Sequence, residues 1–119
     1  MKKKVLVVDD ERGIVKLLSM RLRAKGYEVF EAYDGSECIN IAIKELPQLI
    51  LLDIKMPLGG IDAFQEMLKI DKTRNIPVIF MTAYHTPDIN TQVLEMGAKA
   101  CMSKPFFGNE IINNIAMYI

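Results

Sequence analysis

Leu49-Ile50-Leu51-Leu52-Asp53 places four consecutive apolar residues directly before a carboxylate. A short apolar run without polar alternation is typical of a strand that is covered on both faces, as in a parallel sheet. Val5-Leu6-Val7-Val8, followed by Asp9-Asp10, and Val78-Ile79-Phe80-Met81, followed by Thr82, repeat this arrangement. The sequence therefore predicts three inner strands, each of which ends at a polar side chain.

Two further segments are also predicted to be strands, but less buried ones. Glu28 to Ala32 and Lys99 to Met102 mix charged or small residues with apolar ones. This composition is typical of the outer strands of a sheet, where one edge faces water. Lys104 follows the second of these segments.

Between the strands, the apolar residues recur with a helical period. The predicted apolar faces are Ile14, Leu17, Leu18 and Leu22, ending near Gly26; Ile39, Ala42, Ile43 and Leu46, ending at Pro47; Ile61, Phe64 and Leu68; Ile89, Val93 and Met96, with Thr86 as N-cap, Pro87 as first helical residue and Gly97 at the end; and Ile111, Ile112, Ile115 and Ile119. The narrow face of the fourth helix predicts that this helix is weakly anchored.

Five strands that alternate strictly with five helices predict an α/β fold. Right-handed crossovers then give a doubly wound parallel sheet with helices on both faces. The length of 119 residues fits one domain, residues 1–119. The alternation does not by itself determine the order of the strands. The chain stops directly after the fifth helix, so either a stand-alone protein or one domain of a longer protein is compatible with the sequence.

Charge and cysteine content exclude several classes of partner and site. Fifteen basic and fifteen acidic residues cancel, which gives no support for binding to nucleic acid or a membrane surface. No window approaches the ~20 apolar residues of a membrane span, and no signal peptide precedes the first strand, so a cytoplasmic protein is expected. Cys38, Cys101 and the single His85 are too scattered for a zinc site, and free thiols are expected.

The polar residues at the strand ends form the candidate site. Each taken singly has an ordinary explanation, since an aspartate after a strand is often a turn former or helix cap and a lone lysine is usually solvated. In a parallel sheet, however, the carboxyl ends of all strands meet at one edge, where ligands bind. Asp9, Asp10, Asp53, Thr82 and Lys104 are therefore expected to converge there.

This set of residue types points to phosphoryl chemistry. Three close carboxylates repel one another, and Mg²⁺, which prefers oxygen ligands and often links carboxylates to phosphoryl groups, would remove that cost. A hydroxyl and an ammonium group would contact the remaining phosphoryl oxygens. Asp9 and Asp10 are adjacent and suit metal binding, whereas Asp53 stands alone on the central strand and is the natural nucleophile.

Four ordered motifs resemble the receiver domains of bacterial two-component response regulators. They are Val5-Leu6-Val7-Val8-Asp9-Asp10-Glu11, Leu51-Leu52-Asp53-Ile54-Lys55-Met56-Pro57, Met81-Thr82-Ala83 and Lys104-Pro105-Phe106, with Gly97-Ala98 as a further match. The resemblance covers essentially the whole chain. It implies a flavodoxin-like (βα)5 fold with strand order 2-1-3-4-5. It also implies a phosphorylation switch that is not an enzyme acting on a separate substrate.

The resemblance implies a role for each residue of the site. Asp53 would be the phosphoacceptor, and Asp9, Asp10, Asp53 and the backbone carbonyl of Lys55 would bind Mg²⁺. Thr82 would be the switch hydroxyl, Lys104 would bind the phosphoryl group, and the Lys104-Pro105 bond would be cis. The phosphoryl donor would be a sensor histidine kinase or a histidine phosphotransfer protein. A downstream effector would bind the face formed by the fourth helix, fifth strand and fifth helix.

The chain departs from the family pattern at two places. Pro57-Leu58-Gly59-Gly60-Ile61 is one residue shorter than usual and lacks an aspartate, which predicts a tighter loop after Asp53. Cys101 occupies the position, three before the lysine, where most members carry an aromatic residue or histidine. Two flanking positions are predicted to modulate the site: Lys55 and Tyr84 lie two residues after Asp53 and Thr82, beside the route of a hydrolytic water.

Other function classes fit the residues less well. A flavodoxin-like FMN protein needs a phosphate-binding loop where this chain has Asp9-Asp10-Glu11, and a Rossmann dehydrogenase needs a GxGxxG motif, which is absent. An aspartyl-phosphate phosphatase would have D-x-D after the first strand. A pseudo-receiver that binds partners without phosphorylation stays open, although the intact five-residue site argues against it.

Overall fold

The computed structural model describes residues 2–104 and 109–119. Within these ranges, strands and helices alternate as the sequence predicts. The strands are β1 (Lys4–Val8), β2 (Glu28–Ala32), β3 (Leu49–Asp53), β4 (Val78–Thr82) and β5 (Ala100–Ser103). The helices are α1 (Arg12–Ala24), α2 (Gly35–Glu45), α3 (Gly60–Leu68), α4 (Pro87–Glu95) and α5 (Glu110–Tyr118).

All five strands are parallel and lie in the order β2-β1-β3-β4-β5, which confirms the expected topology. The three apolar runs occupy the inner positions, and β3 lies in the centre between β1 and β4. Every residue of β3 and β4 is buried, whereas β2 and β5 at the two edges are only partly buried. The prediction of inner and outer strands from composition is therefore confirmed.

Alternating side chains of the inner strands form two cores, one on each face of the sheet. Val5 and Val7 of β1 pack with α1 and α5, and Leu6 and Val8 pack with α2, α3 and α4. This arrangement explains why the inner strands are apolar throughout, since neither face meets water. Polar residues follow or end these inner strands, namely Asp9 after β1, Asp53 in β3 and Thr82 in β4. They therefore lie where the apolar core ends.

The predicted apolar faces of three helices are partly wrong. Leu17 and Leu46 are each 49% exposed and Leu68 is 37% exposed. In α1 the inner stripe consists of Val15, Leu18 and Leu22, and Leu17 lies about 100° away from Leu18 around the helix axis. The predicted Ala42 of α2 and Phe64 of α3 are buried, but they are joined in the core by Cys38 and by Ala63 and Met67, which were not predicted. Apolar spacing located these helices but not the rotation of each about its axis.

The predicted cap of α4 is confirmed. The Oγ1 of Thr86 accepts a hydrogen bond from the backbone N–H of Ile89 at 3.2 Å, and Pro87 is the first helical residue. Val93 is the one fully buried residue of this helix, as its narrow apolar face predicts. Among the described helices, the fourth buries the fewest residues, so few apolar contacts hold it to the sheet.

No helix in residues 2–104 and 109–119 is long and apolar enough to cross a membrane. Cys38 is buried and Cys101 half-buried, and both thiols are free. Burial raises the pKa of Cys38 to about 12, and the nearby Asp34 carboxylate adds to the effect. Burial also raises the pKa of Cys101. Both groups are therefore protonated thiols at neutral pH and poor nucleophiles.

Candidate functional site

The fold brings the predicted polar residues to one edge of the sheet. Asp9 and Asp10 follow β1 directly, Asp53 and Thr82 are the last residues of β3 and β4, and Lys104 follows the last residue of β5. The strand ends meet here because the strands are parallel and in register. Asp9, Asp53 and Thr82 are buried, at 0%, 3% and 1% exposure, while Asp10 is open to solvent.

The three aspartates form an acidic cluster. Asp9, Asp10 and Asp53 each offer one carboxylate oxygen, and these oxygens lie within 4.8 Å of one another. The Oδ2 of Asp9 is buried and has no well-formed hydrogen bond, so its negative charge depends on a nearby cation. Three clustered oxygen ligands, one of them on the solvent-exposed Asp10, fit Mg²⁺, which keeps several waters and binds through few carboxylates.

Lys104 provides the positive charge of the site. Its Nζ lies 2.5 Å from Oδ2 of Asp9 and 3.1 Å from Oδ1 of Asp53, and its side chain is only 7% exposed. A third carboxylate, Oε1 of Glu11, lies 3.7 Å away. A buried ammonium group with several carboxylate partners stays charged, so the site holds one positive charge directly beside Asp53.

The environment of Asp53 perturbs its ionisation. Burial raises the pKa of Asp53 to about 6, with a further contribution from the Asp9 charge, and the Lys104 ammonium partly opposes the rise. For Lys104, burial favours the neutral amine, but the hydrogen bond to Asp9 and the charge of Asp53 outweigh it and raise the pKa. Asp53 is therefore mostly ionised at neutral pH and has the excess free energy of a buried carboxylate.

Thr82 is positioned by the loop that follows it. Its Oγ1 accepts a hydrogen bond from the backbone N–H of Tyr84 at 3.0 Å, and its carbonyl accepts one from the N–H of Lys104 at 2.8 Å. The first bond makes the hydroxyl a local turn element. Any inward movement of the hydroxyl would break this bond and release the start of the loop between β4 and α4.

Lys55 and Tyr84 meet at the rim of the site. The Nζ of Lys55 lies 4.0 Å from the centroid of the Tyr84 ring, within the range of a cation–π contact. Both side chains are exposed, and Tyr84 is 61% exposed. The contact joins the loop after Asp53 to the loop after Thr82.

The loop after Asp53 is tight, as its shortened sequence predicts. A Cβ at Gly60 would stand 2.0 Å from the carbonyl oxygen of Asp53, and one at Gly35 would stand 2.1 Å from that of Leu58. Leu58 adopts a φ of 56°, in the left-handed region that non-glycine residues rarely occupy. The close packing of this loop therefore requires glycine at positions 35 and 60, and it holds Leu58 in a strained backbone conformation.

Of the two remaining residues predicted to modulate the site, the structure describes Cys101 but not Pro105. Cys101 lies in β5 opposite Phe80 and packs at the edge of the core formed with α2, α3 and α4. Pro105, with the predicted cis bond and Phe106, lies outside the described residues. No ring occupies position 101 to rotate behind Thr82.

Sequence reasoning missed the contact between Glu11 and Lys104. Its carboxylate approaches Lys104, and its backbone N–H donates to Oδ1 of Asp9 at 3.0 Å. The signal was present as an acidic residue directly after the aspartate pair. The contact could not be predicted without the three-dimensional structure, in which the Lys104 side chain extends from the end of β5 to the residue that precedes α1.

Comparison with known proteins agrees with this geometry. Residues 5–116 match the family model described as the response regulator receiver domain. The chain belongs to the response regulator receiver family. This receiver domain is 40% identical over 120 residues to sporulation initiation phosphotransferase F of Bacillus subtilis (strain 168), covering 100% of the chain and 95% of that protein.

Solved structures show the same fold. The chemotaxis protein CheY4 of Vibrio cholerae superposes with a TM-score of 0.94 at 27% identity, with 100% of both chains covered. CheY from the CheX-CheY-BeF3-Mg²⁺ complex of Borrelia burgdorferi superposes with a TM-score of 0.90 at 25% identity, covering 98% of this chain and 90% of that one. This receiver domain is accordingly a phosphorelay signalling switch, and its acidic cluster fits Mg²⁺ and a phosphoaspartate.

Proposed function

We propose that Asp53 accepts a phosphoryl group from the phosphohistidine of a sensor histidine kinase or a histidine phosphotransfer protein. The supporting observation is the placement of Asp53, which ends the central strand 3.1 Å from Lys104 and within the acidic cluster. In the transfer, a carboxylate oxygen of Asp53 forms a bond to phosphorus while the bond between phosphorus and the histidine nitrogen breaks. The nitrogen keeps the electron pair, and the product is an acyl phosphate.

The metal of this reaction would be Mg²⁺, held by Asp9, Asp10, Asp53 and the backbone carbonyl of Lys55. When bound, it neutralises charge on the phosphoryl oxygens and relieves the repulsion among the carboxylates. Lys104 supplies the second positive charge, and Thr82 supplies a hydroxyl that moves toward the phosphoryl oxygens. The similar CheY of Borrelia burgdorferi was solved with BeF3 and Mg²⁺, which supports this assignment.

The residues act on the donor and on water, and on no separate substrate. Positioning and charge neutralisation are the whole of the catalysis, so the domain transfers one phosphoryl group to itself and loses it slowly. Residues 1–119 form one such domain, working in the cytoplasm without direct contact to nucleic acid or membrane. The response would reach an effector on the face of α4, β5 and α5.

Labelling with acetyl phosphate and Mg²⁺, followed by mass spectrometry of the intact protein and its peptides, tests the assignment of Asp53. The wild type should gain the mass of one phosphoryl group on the peptide that contains Asp53, and Asp53→Asn should gain none. Asp10→Ala should label weakly at low metal and recover partly at high Mg²⁺ concentration, because it loses a metal ligand and keeps the nucleophile.

Two outcomes would contradict the proposal. Equal labelling of Asp53→Asn would place the phosphoryl group elsewhere. A wild type that takes up no phosphoryl group with the small donor would indicate a pseudo-receiver that binds partners without phosphorylation. An unchanged magnesium dependence in Asp10→Ala would remove that residue from the metal site and leave the role of Asp53 intact.

A further inference from the structure

Lys104 and a divalent cation would compete for the same carboxylates. The ammonium group contacts Oδ2 of Asp9 and Oδ1 of Asp53, and both residues belong to the acidic cluster. Both oxygens of Asp9 already have a partner, because Oδ1 accepts the N–H of Glu11 at 3.0 Å. A metal ion that binds Oδ2 of Asp9 would therefore bring a second cation to the oxygen that Lys104 contacts.

Glu11 differs from the other carboxylates near Lys104. Its side chain is 63% exposed, and it lies outside the group of acids that could share one ion. It precedes α1 as the N-cap residue, yet its side chain makes no capping hydrogen bond. Its carboxylate is consequently free to follow Lys104, while its backbone N–H fixes its position relative to Asp9.

We propose that Glu11 is a positioning residue that receives the Lys104 ammonium group when Mg²⁺ takes Oδ2 of Asp9. Lys104 then remains between Asp53 and Glu11, where it faces the phosphoryl group, and its charge stays paired although Asp9 is occupied. Glu11 thereby reduces the electrostatic repulsion between Mg²⁺ and the Lys104 ammonium group when both occupy the site. The inference rests on the proposed magnesium site and adds a residue to it.

A double-mutant cycle on magnesium affinity, measured by isothermal titration calorimetry without phosphodonor, tests the proposal. Glu11→Gln should weaken Mg²⁺ binding about three- to fivefold, the size expected for a partly exposed ion pair. Lys104→Met should tighten Mg²⁺ binding, because the competing cation is gone. In the Lys104→Met background, Glu11→Gln should change the affinity by less than about 1.5-fold, since Glu11 then has no ammonium group to receive.

Asp62→Asn is the matched control. Asp62 is an exposed acid in the first turn of α3, whose amino end faces the same edge of the sheet, and it has the same charge as Glu11. It should change Mg²⁺ affinity by less than about 1.5-fold, because a solvated charge without a contact in the site is screened. Lys104→Gln serves as a second removal of the ammonium group if Lys104→Met folds poorly.

The outcomes separate this inference from the proposed function. An equal loss of affinity from Glu11→Gln with and without Lys104 would overturn the role of Glu11 as a partner of Lys104, since the effect would then be a general one of charge. Equal losses in Glu11→Gln and Asp62→Asn would overturn it as well. A wild type that does not bind Mg²⁺ at all would instead contradict the proposed function.

Discussion

Tyr84 and Lys55 are in contact between the loop that follows Thr82 and the loop that follows Asp53. The cation–π contact between them links these two loops at the edge of the site. We expect a water that attacks the acyl phosphate in line to approach past these two side chains, because they lie two residues after Asp53 and Thr82. A large ring held by an ammonium group would exclude that water for part of the time.

We predict that Tyr84→Ala shortens the lifetime of the Asp53 phosphoryl group. The exposed cation–π contact is worth about 0.5–1 kcal/mol, so its loss should raise the hydrolysis rate roughly two- to fivefold. The measurement is the decay of labelled protein after removal of the donor. Tyr84→Phe keeps the ring and is the matched control, with a half-life close to that of the wild type.

A half-life of Tyr84→Ala equal to or longer than that of the wild type would count against shielding. Lys55→Met would then be informative, because it removes the ammonium group and keeps an apolar chain of similar length. If shielding operates through the contact, Lys55→Met should shorten the half-life as well. If only the ring matters, Lys55→Met should leave it unchanged.

Among the elements, α4 and the loop that leads into it are the parts best placed to respond. Thr82 Oγ1 is tied to the N–H of Tyr84, so a hydroxyl drawn toward a phosphoryl group would release the loop that leads into α4. That helix buries Val93 and little else. Cys101 in β5 is small and half-buried, with no ring to rotate. The movement therefore depends on the loop and on α4.

We predict that Thr82→Ala accepts the phosphoryl group but loses the response of α4, whereas Cys101→Ala keeps both. Amide chemical shifts on addition of beryllofluoride and Mg²⁺ measure the response. In the wild type and in Cys101→Ala, the signals of residues 83–95 should move. In Thr82→Ala, they should stay near their positions in the free protein.

The reverse pattern would contradict this account of the switch. If Cys101→Ala erased the shifts in α4 and Thr82→Ala did not, β5 would carry the signal. Labelling of Thr82→Ala by acetyl phosphate is the necessary companion measurement. A variant that cannot be labelled would show that Thr82 takes part in the transfer itself.

The sequence predicted the elements better than their contacts. The inner strands were clear because burial on both faces leaves an uninterrupted apolar run, as in Leu49–Leu52. Leu17 and Leu68 were assigned to the wrong side of their helices because apolar spacing does not give the rotation of a helix against the sheet. The approach of Glu11 to Lys104 depends on which strands are neighbours, and that order came from the resemblance rather than from the alternation of elements.

The buried carboxylate of Asp53 lowers the free energy of unfolding of the whole protein by an amount that depends on pH. Burial and the Asp9 charge raise the pKa of Asp53 from 3.8 to about 6. Between these values the folded protein binds more protons than the unfolded chain, so stability falls as the pH rises through this window. Above about pH 6, folding leaves Asp53 ionised in a place that disfavours its charge.

We predict that Asp53→Asn stabilises the metal-free protein at neutral pH and not at low pH. Near pH 3.5, Asp53 is mostly protonated in both states, and the variant and wild type should unfold at similar urea concentrations. Above pH 7, the variant should be more stable by about 2–3 kcal/mol, because the amide needs no ionisation in the buried site. Asp71→Asn changes an exposed carboxylate, and its free energy of unfolding should stay within about 0.5 kcal/mol of the wild-type value at every pH.

Added Mg²⁺ should reduce the difference in stability between Asp53→Asn and the wild type, because the ion binds and stabilises the folded wild type. A gap between Asp53→Asn and wild type that does not change from pH 3.5 to 7 would mean that the charge of Asp53 is not the source of the cost.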